Sequence, residues 1–300
     1  MRICCDSKER IPIGSIKFIK NISHVIYKFL ILSMDQKKIT EFKKWFEQFS
    51  GALVAFSGGI DSALVLFLSR KYLGKRNAIG VIANSESLKS SDYQLALDFA
   101  QKNDIILETV YTSELSDHNY NTNPSNRCYF CKTHLYTTME TTKKKFPTFT
   151  VMNGTNKDDF SDYRPGLKAA EENRVRSPLA ELDISKKEVR ELAKYFGIPF
   201  WDKPASPCLS SRIPYGSEVT KLKLQQIEKA EAILNEAGFS DVRVRHYGLM
   251  CKVEVPMNQL QKLSECLSEL EPKIKALGFS ECQIDNEGLI SGKLNRLIKV

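Results

Sequence analysis

The chain contains no apolar run long enough to cross a bilayer as a helix. It also lacks two common nucleotide signatures, the kinase-type loop G-x-x-x-x-G-K-S/T and the dinucleotide fingerprint G-x-G-x-x-G. One C-x-x-C is present, but there is no second one and no H-x-x-x-H, so a complete four-ligand zinc site is not spelled out. The apolar patch from His24 to Leu32 is broken by Lys28 and followed by no small-residue cleavage site, which makes it a poor signal peptide. Without a secretory signal, eight cysteines argue against a disulfide scaffold and for a reducing compartment, so the expected location is the cytoplasm. The charge excess is modest: 44 basic against 36 acidic residues give +8. Six Lys/Arg against Asp6 and Glu9 before Met34 supply +4 of that. The remainder suits anionic nucleotides and does not by itself indicate RNA; no RNA-binding appendage or zinc knuckle is visible.

What is present is Ser57-Gly58-Gly59-Ile60-Asp61-Ser62, directly after the apolar run Ala52 to Phe56 and opening an apolar helix. Glycines let backbone approach an anion, and a helix N-terminus offers free N–H groups and a positive dipole end. Asp61 cannot contact phosphate by charge, so it either helps hold magnesium or caps the helix. Further strands are read at Ala78–Ala83, Ile105–Val110 and Phe149–Asn153, with helices at Asp61–Leu73, Ser91–Asn103 and Ser185–Phe196 between and after them. Short apolar strands alternating with helices predict an α/β fold, a doubly wound, mostly parallel sheet with the loop after its first strand as the ligand end. The Pro-broken segment Lys203–Gly216 marks a boundary. Beyond it, helix, hairpin, helix and strand predict a smaller α+β domain. The expected domains are thus 34–205 for nucleotide binding and 206–300 for catalysis and substrate. Residues 1–33 are read as an upstream-start artefact or lineage-specific extension without functional residues.

Cys128 and Cys131 lie in what reads as a polar loop, and three uses fit: half a zinc site, a dithiol pair, or cluster ligands. The candidate third thiolate is Cys208, in the Pro-rich segment. Three thiolates suit an iron–sulfur cubane with one iron left open. Cys251, Cys266 and Cys282 read as single, inert core thiols, and Cys4 and Cys5 fall in the extension. Glu231 interrupts the apolar stripe Leu224, Ile227, Leu234, so it must be paired or functional. Strand alternation puts Arg243, Arg245 and Tyr247 on one face of the hairpin and Val242 and Val244 on the other, with Lys252 and Glu254 across from them. These residues are the partners in view for Glu231. Two arginines on one face make a fork for phosphate or carboxylate, or else an exposed sheet face with surface ion pairs.

The series S-G-G-x-D-S, R-C-Y-F-C-K (Arg127 to Lys132), G-T-N-x-D-D (Gly154 to Asp159), D-Y-R-P-G (Asp162 to Gly166), P-A-S-P-C-L-S-S-R-x-P-Y-G (Pro204 to Gly216) and V-R-V-R-H-Y-G (Val242 to Gly248) resembles the LarE family of the PP-loop ATP pyrophosphatases. The resemblance runs in order from about Met34 to the C-terminus. It implies an ATP-dependent sulfur transferase that adenylates a carboxylate of a pyridinium biscarboxylic acid mononucleotide and makes a thiocarboxylate for the nickel-pincer cofactor of lactate racemase. Ser57, Gly58, Gly59, Asp61, Ser62, Ala83, Gly154, Asn156 and Asp158 would serve ATP and Mg2+. Ser211, Arg212, Arg243 and Arg245 would serve the substrate, and Cys208, Asp61, Glu231 and Glu254 catalysis. Sacrificial members lose the sulfur of the cysteine matching Cys208. Members that also carry the C-x-x-C pair are thought to hold a 4Fe-4S cluster on three cysteines, here Cys128, Cys131 and Cys208, using sulfide or another sulfur donor. The resemblance further implies a homo-oligomer, a hexamer. A PP-loop tRNA thiolase and a regulatory protein with a degenerate nucleotide site are the competing readings.

Overall fold

The computed structural model describes residues 36–290 and 292–297. The expectations for residues 1–33, Cys4 and Cys5 included, lie outside the described residues. The chain divides into two compact units after Phe46. The described part of the first, 36–46, is helical.

In the second unit, β1 (Ala52–Ala55), β2 (Ala78–Ala83), β3 (Ile106–Val110) and β4 (Thr150–Met152) form one sheet in the order β3-β2-β1-β4. Every pairing is parallel, with Ala52 opposite both Ala78 and Thr150. Parallel neighbours cannot be joined by tight turns, so the helices Ile60–Leu73, Ser90–Lys102 and Arg127–Lys145 carry the crossovers. They cover the sheet, which is why β1 is buried along its whole length. On one face Leu53, Ala55, Ile79, Val81 and Val151 pack against Leu135, Tyr136 and Met139 of the third crossover helix. The chain moves from β1 to one side for β2 and β3 and to the other for β4. The carboxyl end of β1 is therefore the switch point, where a doubly wound sheet opens a crevice. Ser57-Gly58-Gly59 sits there.

The helix Arg127–Lys145 corrects the reading of a polar loop around the C-x-x-C. Asn123, in a left-handed conformation (φ 58°), makes the turn that starts it. Its composition is polar overall, so no apolar periodicity announces it; Leu135, Tyr136 and Met139 anchor it to the sheet, with Thr142 and Lys145 bonded to Glu108 of β3. Likewise, part of the Pro-rich segment is regular, Leu209–Arg212 forming one 3-10 turn.

The second sheet has the order β5 (Arg243–Tyr247), β6 (Met250–Glu254), β7 (Glu281–Ile284). β5 and β6 are antiparallel around Gly248, whose φ of 78° suits glycine, and β6 and β7 are parallel. Arg243 stands opposite Glu254 and Arg245 opposite Lys252, the alternation read from the sequence. Val244 and Val253 form the other face, packed with Leu234 and Ile274 of the helices Lys221–Glu236 and Leu260–Lys275. Cys251 and Cys282 are not single: they are register partners in this core. The thiol of Cys251 is pushed up by its hydrogen bond with Cys282 and by burial.

His246 is buried in the same layer. Its Nδ1 accepts the Gly248 N–H (3.2 Å), which leaves the proton on Nε2 to be donated to Gln226 Oε1 (3.0 Å). The neutral ring satisfies both contacts. Burial, with the charge of Lys223, lowers its pKa to about 4 from 6.5. A histidine depressed in this way contributes stability above the unfolded value and loses it as pH falls through the folded value. Stability should therefore decline between pH 6.5 and 4 in the wild type and decline less in His246→Gln. Proton-detected NMR of the imidazole across this range checks the cause, and a ring titrating near 6.5 in the folded protein would refute it.

Candidate active site

The loop after β1 closes on itself through serines. Ser57 N–H donates to Ser62 Oγ (3.1 Å), the two hydroxyls meet at 3.0 Å, and Ser62 Oγ donates to Gly59 C=O (3.0 Å). Gly58 has φ 74°, and a Cβ there would stand 3.0 Å from the backbone oxygen of Asp92. The following helix has Gly59 at its N-cap and no side-chain cap, so its first-turn N–H groups remain available to an anion. Asp61 does not cap this helix, which settles one of its two readings. Its Oδ1 accepts from Asn156 Nδ2 (3.1 Å), and its Oδ2 pairs with Lys186. Asn156 in turn accepts Asp158 N–H (2.9 Å) and donates its own N–H to Asp159 Oδ2 (3.0 Å), a capping box after β4. Burial raises the pKa of Asp159, and the charge of Asp61 adds to it while Arg164 opposes. Asp158 accepts the backbone N–H of Lys186 (2.9 Å), so it organises the start of the helix Lys186–Tyr195. Ala83 ends β2 at the same carboxyl edge. Asp159 and Arg164 stood in motifs read from the sequence but without a role, and Lys186 in none; the fold pairs Arg164 with Asp159 (2.9 Å) and Lys186 with Asp61.

Cys128 and Cys131 lie one helical turn apart, on one face of their helix. Cys208 precedes the 3-10 turn, and Leu209 N–H donates to Ser87 C=O (2.8 Å) just beyond β2. Burial comes first in pushing the Cys131 thiol up to about 12, with the charges of Glu114 and Cys208 next. Cys128 reaches solvent but is walled in by protein; burial raises its thiol while Arg127 opposes, and the charge of Cys208 adds. Cys131 packs in one cluster with Leu209, the neighbour of Cys208. Behind them Arg127 is buried, bonded to Asn123 Oδ1 and to Ser210 C=O (3.0 Å), and Tyr120 donates to or accepts from Ser210 Oγ (2.7 Å). Among the described residues no three His, Cys, Asp or Glu side chains meet closely enough for a single metal ion. A cluster is ligated by sulfurs standing apart around its own core, and the soft donor set suits iron and sulfide.

Glu231 pairs with Arg212 (Nε–Oε1 2.8 Å) and Lys89 (2.5 Å) and accepts Val244 N–H (3.1 Å). The sequence pointed instead to the arginines of the hairpin, which have other roles. Burial opposes its ionisation, but Arg212 and Lys89 hold its pKa below the usual carboxylate value. Arg245 donates to Glu254 Oε2 (2.8 Å) and to Ser211 C=O (2.6 Å), and Glu254 also faces Lys293 at 3.7 Å. The guanidinium of Arg243 is buried and makes no hydrogen bond among the described residues. Burial and the neighbouring charges of Arg212 and Arg245 depress its pKa. Ser211 Oγ accepts from Arg212 Nη1 (2.8 Å). The face is therefore a buried cationic cluster with one fork uncommitted, not a set of surface ion pairs.

Residues 37–126 match the NAD synthase family. The chain is 35% identical over 242 residues to the pyridinium-3,5-bisthiocarboxylic acid mononucleotide synthase of Lactiplantibacillus plantarum, covering 81% of this chain and 88% of that protein. The chain belongs to the LarE family. It is 43% identical over 267 residues to an uncharacterized protein of Synechocystis sp. (88% and 99% covered) and 29% identical over 235 residues to one of Methanocaldococcus jannaschii (78% and 89% covered). Membership makes it an ATP-using sulfurtransferase with the PP-loop α/β fold. No helix among the described residues is long and apolar enough to cross a membrane.

In this LarE-family site the closest backbone approach is at Gly154, where a Cβ would stand 2.4 Å from Ser62 N and 2.7 Å from the carbonyl carbon of Asp61. Neither atom has freedom to retreat, since both begin the phosphate-facing helix. Overpacking of this kind costs about 1–3 kcal/mol. Gly154→Ala should weaken ATP binding by about tenfold or more while leaving the His246 layer intact. Calorimetric ATP titration beside a denaturant melt checks this; unchanged ATP affinity would mean the contact does not shape the loop.

Proposed function

We propose that the chain uses ATP to adenylate a carboxylate of pyridinium-3,5-biscarboxylic acid mononucleotide and converts it to a thiocarboxylate for the nickel-pincer nucleotide. The observation that carries this reading is the placement of Cys208. Its loop is bonded to the end of β2 through Ser87 and to the first turn of the helix Ser90–Lys102 through Asp92, beside the phosphate loop. Residues 34–205 act as the nucleotide domain and 206–300 supply the substrate face. Ser57, Gly58, Gly59 and Ser62, with the N–H groups of the following helix, hold the phosphates. Asp61 and Asp159 are the hard oxygen donors suited to Mg2+, with Lys186 beside them balancing their charge. The carboxylate oxygen attacks the α-phosphorus, pyrophosphate leaves, and Lys186 and the helix N-terminus stabilise the departing charge. A sulfur nucleophile then attacks the acyl carbon, and AMP leaves with the bonding electrons.

Arg243 binds the anionic mononucleotide, because it is the guanidinium with donors to spare. Arg212 and Arg245, fixed by Glu231 and Glu254, position it, with Ser211 between them. Cys128, Cys131 and Cys208 would hold a 4Fe-4S cluster, which supplies a site for exogenous sulfide. Burial raises the thiols of Cys128 and Cys131, so their use as ligands needs a cationic partner. The alternative keeps the same adenylation and takes the sulfur of Cys208 itself.

The deciding experiment is anaerobic reconstitution with iron and sulfide, followed by a turnover count and the intact mass of the protein. Several AMP, pyrophosphate and thiocarboxylate equivalents per chain, with Cys208 keeping its sulfur, are expected. One turnover with Cys208 lighter by hydrogen sulfide, in iron-replete protein, would restore the sacrificial route. No pyrophosphate with this substrate, but pyrophosphate with tRNA, would replace the substrate altogether. Arg243→Ala should weaken substrate binding by about 1.5–3 kcal/mol, the value of a charge-assisted contact, and leave ATP affinity unchanged.

A further inference from the structure

The helix Lys186–Tyr195 buries Val189, Leu192 and Ala193 on one face. Its other face carries Lys186, Lys187, Arg190, Glu191 and Lys194 in one stripe at helical spacing, and with Trp201 these residues line a groove of about 440 Å3. That volume lies in the usual range for small-ligand sites. Lys187, Glu191 and Lys194 are exposed, so the groove is open to solvent.

The cations of this strongly basic lining are unequally matched. Lys186 pairs with Asp61 of the phosphate loop, and Lys187 meets Glu191, the carboxylate of the lining, at 3.9 Å. Arg190 and Lys194 have no carboxylate partner among the described residues, and the buried Nε of Arg190 has no hydrogen-bond partner there. A guanidinium N–H kept from water and left unpaired calls for an acceptor. The form of the groove narrows what that acceptor is. Lys194 Nζ stands 4.5 Å from the centroid of the Trp201 ring, so the face of the indole is already covered. What remains is ammonium groups and a guanidinium fork, with no flat surface on which a base could stack. That favours a compact polyphosphate over a nucleotide base or a nucleic-acid strand.

The groove also has a link to the chemistry, because Lys186 belongs to both places. Its ammonium is at Asp61, in the first turn of the helix that faces the phosphates, and the same residue lines the groove. In the adenylation proposed above, the bond from the α-phosphorus to the bridging oxygen breaks. Pyrophosphate carries off the electron pair and the charge beside Lys186.

We infer that this groove is a pyrophosphate site, which takes the leaving group from the phosphate loop past Lys186 and holds it on Lys187, Arg190 and Lys194. The inference rests on the adenylation reading. No covalent bond changes in the hand-over; one set of ionic partners replaces another. Pyrophosphate left in the loop reverses adenylation, so a second site that draws it away preserves the acyl adenylate until sulfur attacks.

The test saturates full-length protein with α,β-methylene ATP, whose carbon bridge prevents loss of pyrophosphate and keeps the phosphate loop filled. Radiolabelled pyrophosphate is then added with magnesium in equilibrium dialysis, and one equivalent should bind beside the analogue. Indole fluorescence should change in step as Lys194 leaves the ring. Trp45 is the other tryptophan, so Trp201→Phe should remove that signal and keep the binding. Arg190→Gln and Lys194→Met should each weaken pyrophosphate binding by about tenfold or more. Their affinity for the analogue should stay unchanged, which also shows that they fold. Pyrophosphate excluded by the analogue, or variants that bind it as the wild type does, would overturn the groove assignment alone. So would tRNA that changes the Trp201 fluorescence where pyrophosphate does not. An enzyme that turns over without releasing pyrophosphate would instead overturn the adenylation reading, and the hand-over with it.

Discussion

The interaction on which the rest of the site depends is the carboxylate of Glu231. It is 4% exposed at its side chain and reaches four parts of the chain at once. It stands on the helix Lys221–Glu236, pairs with Arg212 in the Pro-rich loop and Lys89 beyond β2, and accepts the first hydrogen bond of the β5 backbone at Val244. Burying one carboxylate and two cations has a large desolvation cost, and only well-formed contacts offset it. Removing Glu231 would leave Arg212 and Lys89 in the interior without their carboxylate, so this one side chain is the member of the joint between the two sheets that cannot be spared.

Its effect reaches the chemistry through Arg212. With Nε and Nη2 directed to Glu231, the third nitrogen of the guanidinium is free to gather Pro207 C=O (2.8 Å), Cys208 C=O (3.3 Å) and Ser211 Oγ (2.8 Å). The backbone of Cys208 is thus placed by a planar, rigid fork, a task that lysine could not perform. The same logic separates the arginines of this buried cluster. Arg212 and Arg245 are neutralised and positional, and Arg243 keeps its donors. A cationic cluster with every member paired would hold no anion; one with none paired would be too costly to bury.

Much of the nucleotide end was legible in the chain because its signals are local. The apolar run before Ser57, the two glycines and the helix after them are contiguous, and the hairpin register followed from strict alternation between Val242 and Val255. What was not legible is long-range. Glu231 was visible as an anomaly on an apolar stripe, yet its true partner Lys89 lies 142 residues away and Lys186 lies 125 from Asp61. Pairings of that kind depend on the sheet order, which no window of sequence contains. The C-x-x-C helix was missed for the opposite reason. Its local signals, Pro124 and three asparagines between 121 and 126, mark a turn truthfully, but the helix that follows is stabilised by packing and not by pattern.

In the proposed reaction a carboxylate oxygen is adenylated and sulfur then attacks the carbon of that same carboxylate, which asks the phosphate loop and the loop of Cys208 to be held at a fixed spacing. The first turn of the helix Ser90–Lys102 does this with one residue. The backbone oxygen of Asp92 is the surface against which Gly58 packs, and its side chain holds Lys203 Nζ (2.5 Å) and Ser206 Oγ (2.7 Å) at the approach to Cys208. Main chain and side chain of a single residue thereby face the two loops. A side chain at position 58 would push on the backbone of Asp92, and through it on the sulfur loop. The demand for glycine there thus comes from the second half of the reaction as much as from the phosphate of the first.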